Sequence, residues 1–155
     1  MKQEILMKEG KLLPVMEHFY TIQGEGFHAG RAAYFIRLAG CDVGCHWCDV
    51  KESWDADIHP LMDMKALAKT ASEYCKLVII TGGEPLMWNL DVLTEALKDN
   101  GCRIHIETSG AHPLSGHLDW ITLSPKKTKL PLPEVYEKAN ELKMVIFNNH
   151  DFKFA

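Results

Sequence analysis

The sequence predicts an α/β protein built of parallel βα units, and three observations carry that prediction. From residue 32 onward, short apolar runs rich in β-branched residues alternate with segments of helical periodicity. Those runs end in glycine and polar residues, as in "GCDVGCHWC", "TGGEP", "ETSG" and "SPKK", and in such folds these ends gather on one rim. The length, 155 residues, suits a single domain with a real core but not eight βα units. A partial (β/α) barrel or an open sheet satisfies all three.

In chain order, residues 1–20 are expected to form an N-terminal hairpin extension, with "EILMK" and "LLPVMEHFY" as arms and Gly10 as the turn. "AAYFIRLAG", residues 32–40, is an almost continuous apolar run broken by Arg37 and reads as a buried strand. "KESWDADIHP" follows no period. "MDMKALAKTASEYC" has helical spacing, with Asp63 placed to cap its start. "KLVIITGG" is a β-branched strand ended by glycines. "WNLDVLTEALKDNG" reads as a helix with Asn89 as cap and Gly101 as stop. "CRIHIETSG" and "LDWITLSPK" are strands ending in polar loops, "LPEVYEKAN" is a helix, and "ELKMVIFN" is the expected final strand.

A hydrophobic fraction of 46% and a charged fraction of 25% are those of an ordinary globular domain. The net charge of -4 gives no electrostatic reason to expect nucleic acid or an anionic membrane as partner. The opening "MKQEILMKEGK" carries no apolar stretch and no window approaches a membrane span, so the expected location is the cytoplasm. There, clustered cysteines point to metal or catalysis rather than to disulfides. Cys75 and Cys102 stand alone and read as packing residues.

Cys41, Cys45 and Cys48 do not stand alone. Their spacing, C-x3-C-x2-C, places three thiols in one loop directly after a strand. A structural zinc site closes with four ligands, and the nearest fourth donor, His46, follows Cys45 too closely to reach the same ion easily. Three thiolates suit an iron–sulfur cluster that leaves one iron open. With "GGEP" after the next strand, Gly82 to Pro85, the pattern resembles the radical S-adenosylmethionine superfamily, in which the open iron is chelated by the methionine moiety and reductive cleavage yields a 5'-deoxyadenosyl radical.

Upstream, "FYTIQGEGFHAGRAAYFIRLAGC" joins Gln23-Gly24-Glu25-Gly26 and Ala29-Gly30-Arg31 to an arginine, Arg37, four residues before the first cysteine. Together with "TGGEP", "ETSG" and "SPK", this is similar to the 7-carboxy-7-deazaguanine synthase family of the queuosine pathway. The resemblance implies a partial barrel of the radical S-adenosylmethionine type. It also implies a lyase that converts 6-carboxy-5,6,7,8-tetrahydropterin into 7-carboxy-7-deazaguanine with loss of ammonia. It implies a [4Fe-4S] cluster on Cys41, Cys45 and Cys48. Substrate contacts are implied for Ile22, Gln23, Gly24, Arg37 and Thr81, with Arg37 taking the carboxylate through two parallel hydrogen bonds. S-adenosylmethionine contacts are implied for Trp47, Cys48, Asp49, Gly83 and the run Ser124-Pro125-Lys126, with Glu107 to Ser109 as a further candidate for the ribose. An electron donor such as flavodoxin or ferredoxin, and a homodimer, complete the picture.

Two features depart from the family's pattern. The threonine that helps to hold Mg2+ in its members is Val50 here, which offers no side-chain oxygen to a hard cation. The chain also ends at "NNHDFKFA", so its C-terminal part is expected to be shortened. The apolar "MVIF" of the last strand would then be an edge in need of cover, which a second copy or further chain would supply. Two other readings share some of the motifs. A glycyl-radical activating enzyme has the same cysteine spacing but no need of QGEG, and a degenerate scaffold would bind metal without turnover.

Overall fold

Seven strands form one open, mixed sheet in the computed structural model, which describes residues 1–155. They are β1 (Leu12–Ile22), β2 (Ala32–Leu38), β3 (Leu61–Asp63), β4 (Leu77–Gly82), β5 (Arg103–Thr108), β6 (Trp120–Leu123) and β7 (Glu141–Leu142). Their spatial order is β3-β1-β2-β4-β5-β6-β7. From β2 to β7 neighbouring strands run parallel, while β1 is antiparallel to both β2 and β3. The helices are α1 (Lys2–Lys8), α2 (Met64–Tyr74), α3 (Asp91–Asp99), α4 (Pro133–Lys138) and α5 (Asn149–Phe154). None is long and apolar enough to cross a membrane.

The central strand explains the apolar run "LVII". Leu77 to Ile80 of β4 are all buried, because a parallel strand between helices and a pocket is covered on both faces. Alternate residues Val78 and Ile80 enter the main core with Ile36 and Leu38 of β2 and Ile104 and Ile106 of β5. Helix α2 lays Met64, Leu67, Ala68 and Ala71 on that layer, and α3 adds Leu93 and Leu97. Truncating Leu67 or Leu97, each at most 1% exposed, would cost about 2–5 kcal/mol. Asp63 caps α2 as its position predicts, its Oδ1 accepting from the Ala66 amide at 2.9 Å. Asn89 does not cap α3 directly; the N-cap is Leu90, and Asn89 Oδ1 takes the Asp91 amide in a turn one residue earlier.

The predicted N-terminal hairpin over residues 1–20 is corrected. "EILMK" belongs to α1, with Glu4 in its first turn and Lys8 in its last, the polarity a helix dipole favours. Gly10 does supply a left-handed turn, at φ 71°, but it joins a helix to a strand. The strand Leu12–Ile22 pairs instead with β2, from Val15 opposite Leu38 to Ile22 opposite Ala32. The predicted final strand is also corrected. Only Glu141 and Leu142 pair with β6, so "MVIF" is not a sheet edge. Asn148 and Asp151 form a capping box that starts α5, and Asp151 Oδ2 accepts the Phe147 and Asn148 amides at 2.8 and 2.7 Å. That local helix start pulls the chain away from the sheet.

Candidate active site

The C-terminal ends of β2, β4, β5 and β6 surround a cavity of about 450 Å3. It holds nearly every residue singled out from the sequence. The three loop cysteines, with Trp47 and Asp49, form one wall. Gln23, Gly24, Arg37 and Thr81 form another, and Gly83, Ser124 and Lys126 lie between. Two residues stand apart: Ile22 points its side chain to solvent at 62% exposed, and Pro125 is buried but does not line the cavity.

Main-chain contacts set the cysteine loop against the strand end that carries "GGEP". The Gly83 amide donates to the Leu38 carbonyl at 3.1 Å and the Glu84 amide to the Gly40 carbonyl at 2.8 Å. A Cβ on Gly83 would lie 2.3 Å from the Gly40 oxygen and 3.0 Å from the Cys41 Cβ, so only glycine permits this approach. Trp88 closes the other side, its Nε1 donating to the Ala39 carbonyl at 2.8 Å. Asp42, inside the loop, is held by His112 at 2.9 Å and by Lys129.

All five cysteines are free thiols. Burial pushes the Cys41 thiol up, opposed by backbone amides of Val43 and Gly44 aimed at its sulfur. Burial likewise raises Cys45, opposed first by the Lys126 charge. Metal loading would drive the protons off both. The donor set fits a cluster better than a single ion. No group of three or more His, Cys, Asp or Glu side chains encloses one ion, whereas thiolates bound to different irons of a cluster need not converge on one point. His46 packs edge-on against Phe147 at 5.4 Å rather than joining the thiols, which argues against the zinc arrangement.

Two glutamates, Glu84 of "GGEP" and Glu107 of "ETSG", organise the rest. Glu84, only 1% exposed, accepts from Thr108 Oγ1 at 2.5 Å, the Ser109 amide at 2.8 Å, Ser109 Oγ, and the Leu86 amide at 3.0 Å. It thereby locks the end of β4 to the end of β5 and occupies the hydroxyls of Thr108 and Ser109. Glu107 meets Gln23 Nε2 at 3.3 Å and Thr81 Oγ1 at 3.5 Å, with Lys143 Nζ at 3.9 Å. The sequence places both acids on the ligand rim; what it does not show is that Glu84 bonds Thr108 and Ser109, and that Glu107 meets Gln23 and Thr81.

The cavity's cations are Arg37, Lys126 and Lys143. Arg37 donates from Nε to Glu17 at 2.8 Å and from Nη1 to the Gly82 carbonyl at 3.2 Å. Glu17 is 43% exposed, so this is a partly solvated pair that fixes the guanidinium at the rim. Lys126 is held by the carbonyl and hydroxyl of Ser124 at 2.7 and 2.5 Å and stands over the Trp47 ring at 5.5 Å. Burial lowers its pKa. Burial works against the charge of Lys143 as well, but its hydrogen bond to Glu25 and the nearby Glu107 raise its pKa. On the outer side, Glu141 accepts from the Phe27 amide and Trp120 Nε1, each at 3.1 Å, and so joins the loop after β1 to β6 and β7.

Residues 35–146 match the family model of the Radical SAM superfamily. A 7-carboxy-7-deazaguanine synthase from Flavobacterium psychrophilum is 58% identical over 152 residues, spanning 98% of this chain and 72% of that protein. One from Synechocystis sp. is 52% identical over 143 residues, spanning 92% and 69%. The structure is similar to a crystal structure of QueE from Escherichia coli, with a TM-score of 0.84 and 32% identity over 98% of this chain and 78% of that one.

Proposed function

The chain belongs to the radical S-adenosylmethionine superfamily and, within it, to the 7-carboxy-7-deazaguanine synthase family, and from that premise we propose that it is a carbon–nitrogen lyase forming 7-carboxy-7-deazaguanine from 6-carboxy-5,6,7,8-tetrahydropterin. One observation carries the reading: the three thiols, the glycines of "GGEP" and Gln23 of the QGEG loop all face a single cavity. Its 450 Å3 lies within the range of small-molecule sites.

Cys41, Cys45 and Cys48 would hold a [4Fe-4S] cluster. When bound, that cluster supplies the electron that cleaves S-adenosylmethionine to the radical that abstracts hydrogen from the pterin. Around it this chain positions and shields. Gly83 leaves room for the cofactor's methionine end, while Trp47, Cys48, Asp49, Ser124 and Lys126 flank it. Gln23, Gly24 and Thr81 orient the pterin, and Arg37 takes its carboxylate. With Nε given to Glu17 and Nη1 to Gly82, Nη2 is the guanidinium nitrogen left to the substrate. Ile22 would contribute only its backbone, and Pro125 lies buried between Ser124 and Lys126 without lining the cavity.

Any Mg2+ would be held through substrate and water, or through another oxygen of the lining such as Asp49. Val50 lines the cavity without an oxygen, and no step here depends on the ion. The same reading carries a flavodoxin or ferredoxin as electron donor, a homodimeric assembly and a cytoplasmic location. The test is anaerobic turnover of the reconstituted protein with the carboxylated tetrahydropterin, following 5'-deoxyadenosine and the deazaguanine together. Deoxyadenosine released only with a glycyl-radical partner protein would favour activation instead. Release with neither substrate would leave a scaffold.

A further inference from the structure

A second cavity, of about 370 Å3, lies behind the first. The two share Gln23, Glu25, Glu107 and Lys143 in their walls, so this polar layer is the partition between them. None of the three loop cysteines lines the second cavity. His105 stands two residues before Glu107 on β5, hence on the same face of the strand, and the loop after β1 brings His28 beside it.

These two imidazoles have no explanation in the site described above. They are 7% and 3% exposed for His28 and His105, their ring centroids are 4.5 Å apart, and the Nε2 atom of each is buried without a partner. An unmet buried polar atom costs about 1–3 kcal/mol, and beside a cavity it marks a small hydrogen-bonding occupant. Both rings are held neutral. Burial, then His28 and Arg103, brings the His105 pKa down to about 4, and burial with Arg31 and Arg103 lowers that of His28. Arg31 Nη1 approaches His28 Nδ1 at 3.4 Å; because a guanidinium only donates, the His28 proton sits on Nε2.

The occupant is not a metal ion. Both oxygens of Glu141, an acid of the chamber lining, are taken by Phe27 and Trp120, and no three-ligand group is present. Nor does a cation suit a place where Arg31 and Arg103 already disfavour imidazolium. What fits is small, uncharged, and able both to accept from His28 Nε2 and to donate to a neighbour.

We propose that this second chamber receives the ammonia released by the reaction, a reading that rests on the lyase function above. As the substrate's C–N bond breaks, the bonding pair goes to the amine nitrogen, which takes its third hydrogen as a proton from solvent water and departs as NH3. Such a molecule, with three N–H bonds and one lone pair, meets both imidazoles. The chamber's rim includes the exposed Gly26 and Leu142, so ammonia leaves without crossing the wall that holds the cofactors.

The test is a titration of cluster-loaded protein, 15N-labelled in its imidazoles, with ammonium chloride and with potassium chloride as control. Ammonium chloride alone should shift the Nε2 resonances of His28 and His105 saturably, and more strongly as pH rises and free ammonia increases. In His105→Phe the half-saturating concentration should rise about tenfold, the scale of one lost hydrogen bond. His28→Phe serves if the first variant does not load its cluster. Equal shifts with potassium chloride, no saturable shift, or an unchanged half-saturating concentration in both variants would show a chamber for ordered water only and overturn the proposal. A chain that makes no deazaguanine at all refutes the lyase reading separately, because the titration needs no turnover.

Discussion

Glutamate 84 offers the sharpest test of how this site is held together. Changing Glu84 to Gln keeps the side chain's shape but turns one acceptor oxygen into a donor. Each oxygen now receives one backbone amide and one hydroxyl: Leu86 N–H and Thr108 Oγ1 on one, Ser109 N–H and Ser109 Oγ on the other. A hydroxyl can rotate and accept from the new amide; a backbone N–H cannot. Whichever way the glutamine is turned, one buried N–H is orphaned at about 1–3 kcal/mol. The remaining bonds lose their charge assistance, partly offset because a buried charge is no longer desolvated. The net expectation is a loss of about 3 kcal/mol. With a urea dependence of about 2 kcal/mol/M, the unfolding midpoint should fall by roughly 1.5 M. Thr108→Val, which removes a hydroxyl that donates to Glu84 and accepts the Gly110 amide at 3.0 Å, should cost about 1–3 kcal/mol. The measurement is anaerobic urea unfolding of cluster-loaded and cluster-free protein in parallel. A Glu84→Gln midpoint within 0.2 M, on the order of 0.4 kcal/mol, would refute the claim that Glu84 locks β4 to β5.

Four further outcomes are expected. Anaerobically reconstituted protein should be brown, and Cys41→Ala, Cys45→Ala or Cys48→Ala should each abolish the chromophore; stoichiometric zinc with no iron uptake would sink the cluster assignment. Arg37→Met should raise the apparent Michaelis constant for the pterin on the scale of about 2–5 kcal/mol while cluster absorbance stays intact, whereas an unfolded variant would make Arg37 a structural residue. Turnover of the unaltered protein should respond weakly to Mg2+ and Val50→Thr should respond more strongly, so strong stimulation before the change would show that another oxygen serves. Because His105 is held neutral down to about 4, the unfolded chain takes up a proton between pH 6.5 and 4 that the folded one refuses. Stability should therefore fall as pH drops through that window, by up to about 3 kcal/mol, and urea midpoints of His105→Phe should show a flatter profile.

The sequence makes the site legible wherever chemistry is packed into neighbouring residues. Cys41, Cys45 and Cys48 announce themselves by spacing, and "GGEP" by its place after a strand. Asp63 is readable as a cap because its partner lies three residues on. What escapes is made by long-range pairing. β3 is three residues whose only reason to extend is Leu12 to Pro14 alongside. "EILMK" has the apolar content of a strand, yet its charges suit a helix end to end. "MVIF" resembles a strand, but the capping box that follows it decides its path, with Val145 in the cavity wall and Phe147 against His46. Lys143 looks like a solvated charge, and the partners of Glu84 and Glu107 stay hidden, until β4, β5 and β7 stand side by side.

An open sheet has a seam, and here the seam is fastened by side chains, the Glu141 carboxylate and the Lys143–Glu25 ion pair. Glu141 ties the loop after β1 to the last strands through two hydrogen bonds, while Gly26 lies so close that a Cβ would overlap Glu141 Oε1 at 1.9 Å. The opposite wall, with the cysteines, is riveted by main chain. Adaptation to a ligand of different girth can therefore proceed at the seam, through residues such as Gly26, Phe27 and Glu141, without disturbing the wall that generates the radical. Mechanical compliance and chemical constancy occupy different sides of the same molecule.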